Sequence, residues 1–134
     1  MPAAKEFLNK ICGKAIIRLK LWKGVLTGKG LGSSRATAAT TVVGLNKIFK
    51  PRISYNELIE IAAEGERVAA GSPYPDNVAA SILGGLVLIY QRRPLRTTKL
   101  PLRVNPRIIL AIPTIPKITL VKEKTNRLGQ FRNV

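Results

Sequence analysis

The chain contains no histidine, one cysteine (Cys12), one tryptophan and only seven acidic residues among its 134. Without histidine, neither a His-based catalytic triad nor a His-ligated metal site can be assembled. A single thiol rules out an internal disulfide, a cysteine zinc cluster and a CxxC redox pair, and leaves Cys12 expected as a small core hydrophobe. No run of about 18 apolar residues is present, so no membrane span is expected. The N-terminus, MPAAKEFLNKICGKA, lacks the basic stub and apolar stretch of a secretory signal, which points to a cytoplasmic protein.

What is abundant is positive charge. Twenty-three Lys and Arg give a net charge of +16, which suits an anionic partner. The bases are scattered, with no run of five, and three Phe, three Tyr and one Trp leave little for stacking on bases. Phosphate-bearing small molecules therefore fit better than nucleic acid. Five of the seven acids (Glu57, Glu60, Glu64, Glu66 and Asp76) fall within residues 57–76. With 46% hydrophobic residues and this length, one domain or a fragment of a larger one is expected, and self-association is left open.

Periodicity organises the chain. Residues 2–12 have Ala3, Phe7, Leu8, Ile11 and Cys12 at helical spacing, and 15–22 (AIIRLKLW) alternate as a half-buried strand does. Four glycines within GVLTGKGLGSS then mark a turn. A helix is expected from Ser33 or Ser34, capped by serine, with Ala38, Ala39, Val42, Val43, Leu45 and Ile48 facing inward. After Pro51, Ser54 and Glu57 form a capping box for a helix whose inner face is Leu58, Ile61, Ala62 and Val68. The turn GSPYPD leads to a short helix, NVAASIL, and Gly84-Gly85 to a strand, LVLIY. Short strands are expected near 100–104, 107–112 and 118–121, followed by a frayed helix or tail.

The GKGLGSSRAT segment carries the chemistry. Glycines let successive amides turn inward, and the following helix start adds partial positive charge, so a polyphosphate can be held without a Walker lysine. Taken alone, such a string reads equally as a flexible turn. Glu66 alone reads as one more solvated helix acid, and Asp76 or Asn77 as an Asx cap for the following helix.

Together, GLGSS (30–34), AEGE (63–66) and PDNVAASILGGLVL (75–88) resemble, in order and separation, the homoserine kinase branch of the GHMP small-molecule kinases over about residues 15–112. The resemblance implies an α+β fold, a GHMP kinase N-terminal domain-like mixed sheet packed with helices, incomplete here, with a left-handed βαβ crossover that general rules would not supply. It implies one partial domain over 1–134, with the family's C-terminal ferredoxin-like domain largely absent, and residues beyond about 116 matching poorly. The implied activity is Mg²⁺-assisted phosphoryl transfer from ATP to the hydroxyl of L-homoserine, a step of threonine biosynthesis.

By the same resemblance Gly28, Gly30, Leu31, Gly32, Ser33 and Ser34 wrap the ATP phosphates, and Ser34 with Glu66 holds Mg²⁺. Asp76 and Asn77 contact the amino and hydroxyl groups of homoserine, with Tyr74 beside them at a position commonly histidine in that branch. No side chain is assigned as a base, since the branch works without an obvious one. Two residues depart from the family pattern: Leu26 replaces a proline, and Arg35 stands where a small residue follows GLGSS. The competing expectation is a non-catalytic basic module that binds nucleotides or other polyanions by charge.

Overall fold

The computed structural model describes residues 1–70, 73–104 and 106–112. Four helices come first, α1 (Pro2–Lys10), α2 (Ser33–Phe49), α3 (Tyr55–Ala70) and α4 (Pro75–Leu83), followed by the hairpin of β1 (Leu86–Arg92) and β2 (Leu95–Leu100). The fold is thus α+β, and its sheet among the described residues is this one antiparallel pair.

Helix α1 opens on a proline, whose missing N–H costs nothing at that position. It closes earlier than its apolar spacing suggests. The Gly13 amide donates to the Leu8 carbonyl at 3.0 Å and the Cys12 amide to the Asn9 carbonyl at 3.2 Å, with Cys12 at φ 52°. These are the two bonds of a Schellman stop, with Cys12 in the left-handed position after the cap. Cys12 is consequently exposed, not a core residue as the sequence suggested.

Helix α2 buries Ala38, Ala39, Val42 and Leu45 against α3 and α4. Val43 is half-buried, and Ile48, expected inside, is 71% exposed because it falls off the stripe that Leu45 continues. The N-cap of α2 is Gly32, in the left-handed region, and not a serine; no side chain caps this end. Helix α3 keeps its expected box: the Ser54 amide donates to Glu57 Oε2 at 3.0 Å and the Glu57 amide to Ser54 Oγ at 3.3 Å. Leu58, Ile59, Ile61 and Ala62 are buried beneath it, while the side chain of Val68 lies outside the described set.

Helix α1 crosses α3 at Gly65. A Cβ there would come within 2.5 Å of the Ala3 Cα, so only glycine permits this approach. The hairpin turns at Arg93-Pro94, a cis peptide, pairs Leu86 with Leu100 and Arg92 with Leu95, and carries an irregularity between Ile89 and Gln91. Val87 and Ile89 pack on the helices, whereas Leu86, Leu88 and Tyr90 point outward and are exposed. Two bonds dock the hairpin on α3: the Leu95 amide donates to Glu60 Oε1 at 3.0 Å, and Thr97 Oγ1 donates to Asn56 Oδ1 at 2.7 Å.

The segment 15–22 is not a strand. It carries the alternating pattern but has no ladder partner among the described residues, and Ile16 and Trp22 are 105% and 79% exposed. Alternation specifies which face would be buried; the hydrogen bonds must come from a second strand. Of the late strands, 100–104 meets only the end of β2, 107–112 forms no regular element, and 118–121 and the expected tail lie outside the described residues.

Candidate functional site

Residues 28–32 form an irregular turn that delivers the chain into α2. Gly28, Gly30 and Gly32 lie at φ 71°, 76° and 72°, while the intervening Lys29 and Leu31 are not in the left-handed region. This alternation of hand is the geometry that turns successive N–H groups toward one concavity and builds an anion nest. Side chains tolerate φ near 70° poorly, which is why the pattern calls for glycine at every second position.

The turn is fastened at both ends. Ser33 Oγ donates to the Val25 carbonyl at 3.2 Å, closing the loop at its base. The Ala36 amide donates to the Gly32 carbonyl at 2.9 Å, starting the helical ladder. The amides ahead of it, in the first turn of α2, have no intrahelical acceptor and add their partial positive charge to the same place. Thr37 and Thr41 turn their hydroxyls back onto the Ser33 and Thr37 carbonyls at 2.9 and 2.8 Å, so they leave those amides to other acceptors.

At the mouth of the turn Ser34 Oγ donates to Glu66 Oε2 at 2.6 Å, joining α2 to α3 across 32 positions of sequence. Ser34 is exposed and Glu66 half-buried. A hydroxyl and a carboxylate are hard oxygen donors, the kind Mg²⁺ accepts; two adjacent ligands about 2.1 Å from an octahedral ion stand about 2.9 Å apart. The observed 2.6 Å is that of a charge-assisted hydrogen bond, so the two oxygens would part by about 0.3 Å to share an ion. Among the described residues no trio of Cys, Asp or Glu could hold a metal alone, so an ion here would depend on oxygens brought by a ligand.

The start of α4 borders the same turn. The Asn77 side chain lies against Gly32, with Asn77 Cγ 3.6 Å from where a Cβ on that glycine would be. Tyr74 is the N-cap of α4 in extended conformation, without a side-chain cap bond. Its ring receives the Arg35 guanidinium, Cζ lying 5.6 Å from the centroid. Asp76 occupies the first turn of α4, exposed and without a hydrogen bond or ion pair to another described residue. The structure therefore brings together Gly32, Ser34, Glu66 and Asn77, sets Tyr74 beside Arg35, and leaves Asp76 exposed with no hydrogen bond to Ser34 or Glu66. Neither Asp76 nor Asn77 acts as an Asx cap.

Two concavities differ in what they offer. One of about 620 Å³ lies between α1, α3 and the hairpin turn, lined by Glu6, Lys10, Glu60, Glu64, Arg92 and Arg93 among others. It contains no residue of the glycine turn, and Glu60 is already committed to holding β2. The other, about 160 Å³, is smaller but adjoins the turn through Trp22, Val25, Ser33 and Thr37. Convergent polar groups, more than volume, single out the turn, so the second concavity adjoins the candidate site. The Arg35–Tyr74 contact and the Ser33 tie to Val25 have no signal in sequence spacing, because each joins positions whose proximity only the fold creates.

Alternating glycines leading into a helix start, with a hydroxyl–carboxylate pair at the mouth of the turn, stand here on an α+β domain. The family model described as GHMP kinases N terminal domain matches residues 1–85, and the chain belongs to that family. It is 47% identical over 113 residues to a homoserine kinase of Sulfurisphaera tokodaii, an alignment covering 84% of this chain and 37% of that protein. It is 35% identical to a homoserine kinase of Sulfolobus acidocaldarius, covering 98% of this chain and 42% of that one. The crystal structure of homoserine kinase from Cytophaga hutchinsonii superposes with a TM-score of 0.69 at 28% identity, over 96% of this chain and 44% of that structure. The chain thus spans well under half the length of these relatives. No helix among the described residues is long and apolar enough to cross a membrane.

Proposed function

We propose that this chain supplies the ATP-phosphate and Mg²⁺ site of a homoserine-kinase-type phosphotransferase. The observation that carries the reading is the Ser34–Glu66 bond of 2.6 Å at the mouth of the glycine turn. It joins two residues far apart in sequence at the place where a triphosphate and its metal need oxygen ligands. In this reading the turn 28–34 holds the nucleotide phosphates through backbone amides, and Ser34 and Glu66 are the protein's ligands to Mg²⁺. The ion supplies neutralisation of the β- and γ-phosphate charge.

The names of the relatives support homoserine as acceptor, with Asp76 taking its ammonium, and Asn77 and Tyr74 beside the reacting hydroxyl. Asp76 suits that task because its carboxylate is exposed in the first turn of α4, with no partner among the described residues to neutralise it. Transfer asks the protein chiefly for alignment and charge neutralisation, so the absence of histidine is no obstacle. Residues 1–134 are read as one domain of the family's N-terminal type.

Calorimetric titration with ATP in the presence and absence of Mg²⁺ tests this reading. Binding is expected to require Mg²⁺ and to weaken at least about tenfold in Ser34→Ala, which removes an oxygen ligand, and in Glu66→Gln, which removes the ligand's charge. The net charge of +16 favours a second reading, diffuse capture of polyanions. That reading predicts Mg²⁺-independent binding that collapses steeply with added salt and ignores both substitutions.

A further inference from the structure

We propose that Arg35 reads the γ-phosphate of the bound nucleotide and sets a preference for triphosphate over diphosphate, an inference that rests on the phosphotransfer reading above. Arg35 follows Ser34 directly in the first turn of α2 and is half-buried. Among the described residues it makes no hydrogen bond and no ion pair; its one electrostatic contact is with the Tyr74 ring, 5.6 Å from the guanidinium carbon. A half-buried guanidinium without an acceptor is an incomplete arrangement, because burial removes water that would otherwise satisfy its five donors.

The Tyr74 contact places the guanidinium beside the start of α4. An aromatic face takes the π-face of a guanidinium and leaves the N–H edge open, and that edge is the part that grips phosphate oxygens in pairs. Tyr74 is the N-cap residue of α4, so its backbone stands at the start of that helix.

Position selects the γ-phosphate over the α- and β-phosphates. Ser34, directly before Arg35, would with Glu66 hold the Mg²⁺ that neutralises the terminal phosphates. On the other side Tyr74 opens α4, whose Asn77 lies against Gly32 and whose first turn carries the proposed acceptor residues. The group lying between metal and acceptor is the terminal phosphoryl. Arg35 and Tyr74 are in contact across 39 positions of sequence, so they form one local arrangement.

The test is a comparison of MgATP and MgADP affinities by calorimetry on the full chain, with melting temperatures recorded for every variant. Wild type is expected to bind MgATP on the order of tenfold more tightly than MgADP. Arg35→Ala should raise the Kd for MgATP by about that factor and leave MgADP within about twofold. Arg35→Lys should fall between them, since it keeps the charge and loses the fork. Tyr74→Ala should lose part of the preference while Tyr74→Phe keeps it, because the ring and not the hydroxyl is the platform.

An Arg35→Ala variant that weakens both nucleotides equally, or neither, overturns the proposal, as does one that weakens only homoserine binding. Should wild type bind no MgATP at all, the phosphotransfer reading falls and this inference with it. If wild type binds MgATP in a Ser34-dependent manner and the ATP-to-ADP ratio ignores Arg35, only the present inference is lost.

Discussion

Glu57 holds the start of α3 by accepting from the Ser54 amide and the Ser54 hydroxyl, at 3.0 and 2.8 Å, with Lys10 Nζ 3.8 Å from its other oxygen. These hydrogen bonds from Ser54, first the backbone and then the side-chain one, hold its carboxyl below the ordinary value of 4.5, with the Lys10 charge adding to them. A depressed folded value means that the unfolded chain takes up the proton first as pH falls. The contribution is therefore complete above about 4.5 and is lost as pH falls through the folded value. Because the Glu57 side chain is 42% exposed, solvent screening limits the effect to a few tenths of a kcal/mol. Glu57→Gln should melt slightly below wild type at pH 7 and show a flatter decline on acidification through pH 4. Ser54→Ala, which removes the cap itself, should cost about 1 kcal/mol at neutral pH. A Glu57→Gln variant whose melting temperature tracks wild type at every pH would refute the assignment.

Helices α1 and α3 meet through Gly65, and the same substitution tried in two helices separates propensity from packing. In a helix interior alanine is favoured over glycine by about 1 kcal/mol. At Gly44 in α2 a Cβ would meet nothing within 4 Å, so Gly44→Ala should gain up to about that amount. At Gly65 the Cβ would lie 2.5 Å from the Ala3 Cα and 2.6 Å from its nitrogen. Backbone cannot step aside as a side-chain tip can, and overpacking of this kind costs about 1–3 kcal/mol. Packing wins there, and Gly65→Ala should lower the melting temperature by several degrees while Gly44→Ala raises it. Equal shifts in one direction would show that the α1–α3 crossing is looser than described. The four helices were legible in the sequence because apolar residues recur at helical spacing, and the Ser54–Glu57 box was legible because capping is local. The glycine turn at 28–32 was legible from its composition, but the Ser34–Glu66 meeting only through the family motifs, since no spacing rule joins positions 34 and 66. What stayed hidden was tertiary or conformational: the glycine crossing at Ala3, the left-handed stop at Cys12, the Arg35–Tyr74 contact, and the missing ladder partner of 15–22.

The four helices and one face of the hairpin enclose a single core around Phe7, Val42, Leu45, Leu58, Ile59 and Val78. The approach to the glycine turn is built differently. Residues 13–24, which lead toward it, form no regular element. Few buried contacts and no backbone ladder mean low local stability, so this approach should open far more often than the helices do. Limited trypsin digestion of the 134-residue chain should cut first after Arg18, Lys20 and Lys23 and spare α2 to α4, and MgATP should slow the cut at Lys23, the nearest of the three to the Ser33-to-Val25 tie. Catalysis is more sensitive to this looseness than binding is. A loop and a helix start suffice to hold phosphate, but transfer needs donor and acceptor in line, and a misplacement of about 1 Å costs on the order of a hundredfold in rate. This chain alone should therefore bind MgATP yet release ADP in response to homoserine far more slowly than about one turnover per second, the low end of ordinary enzymes. Homoserine-dependent turnover at ordinary enzyme rates, abolished by Ser34→Ala, would show that residues 13–24 hold the site firmly without a ladder. Early cleavage within α2 or α3 would equally contradict the expected order of stability.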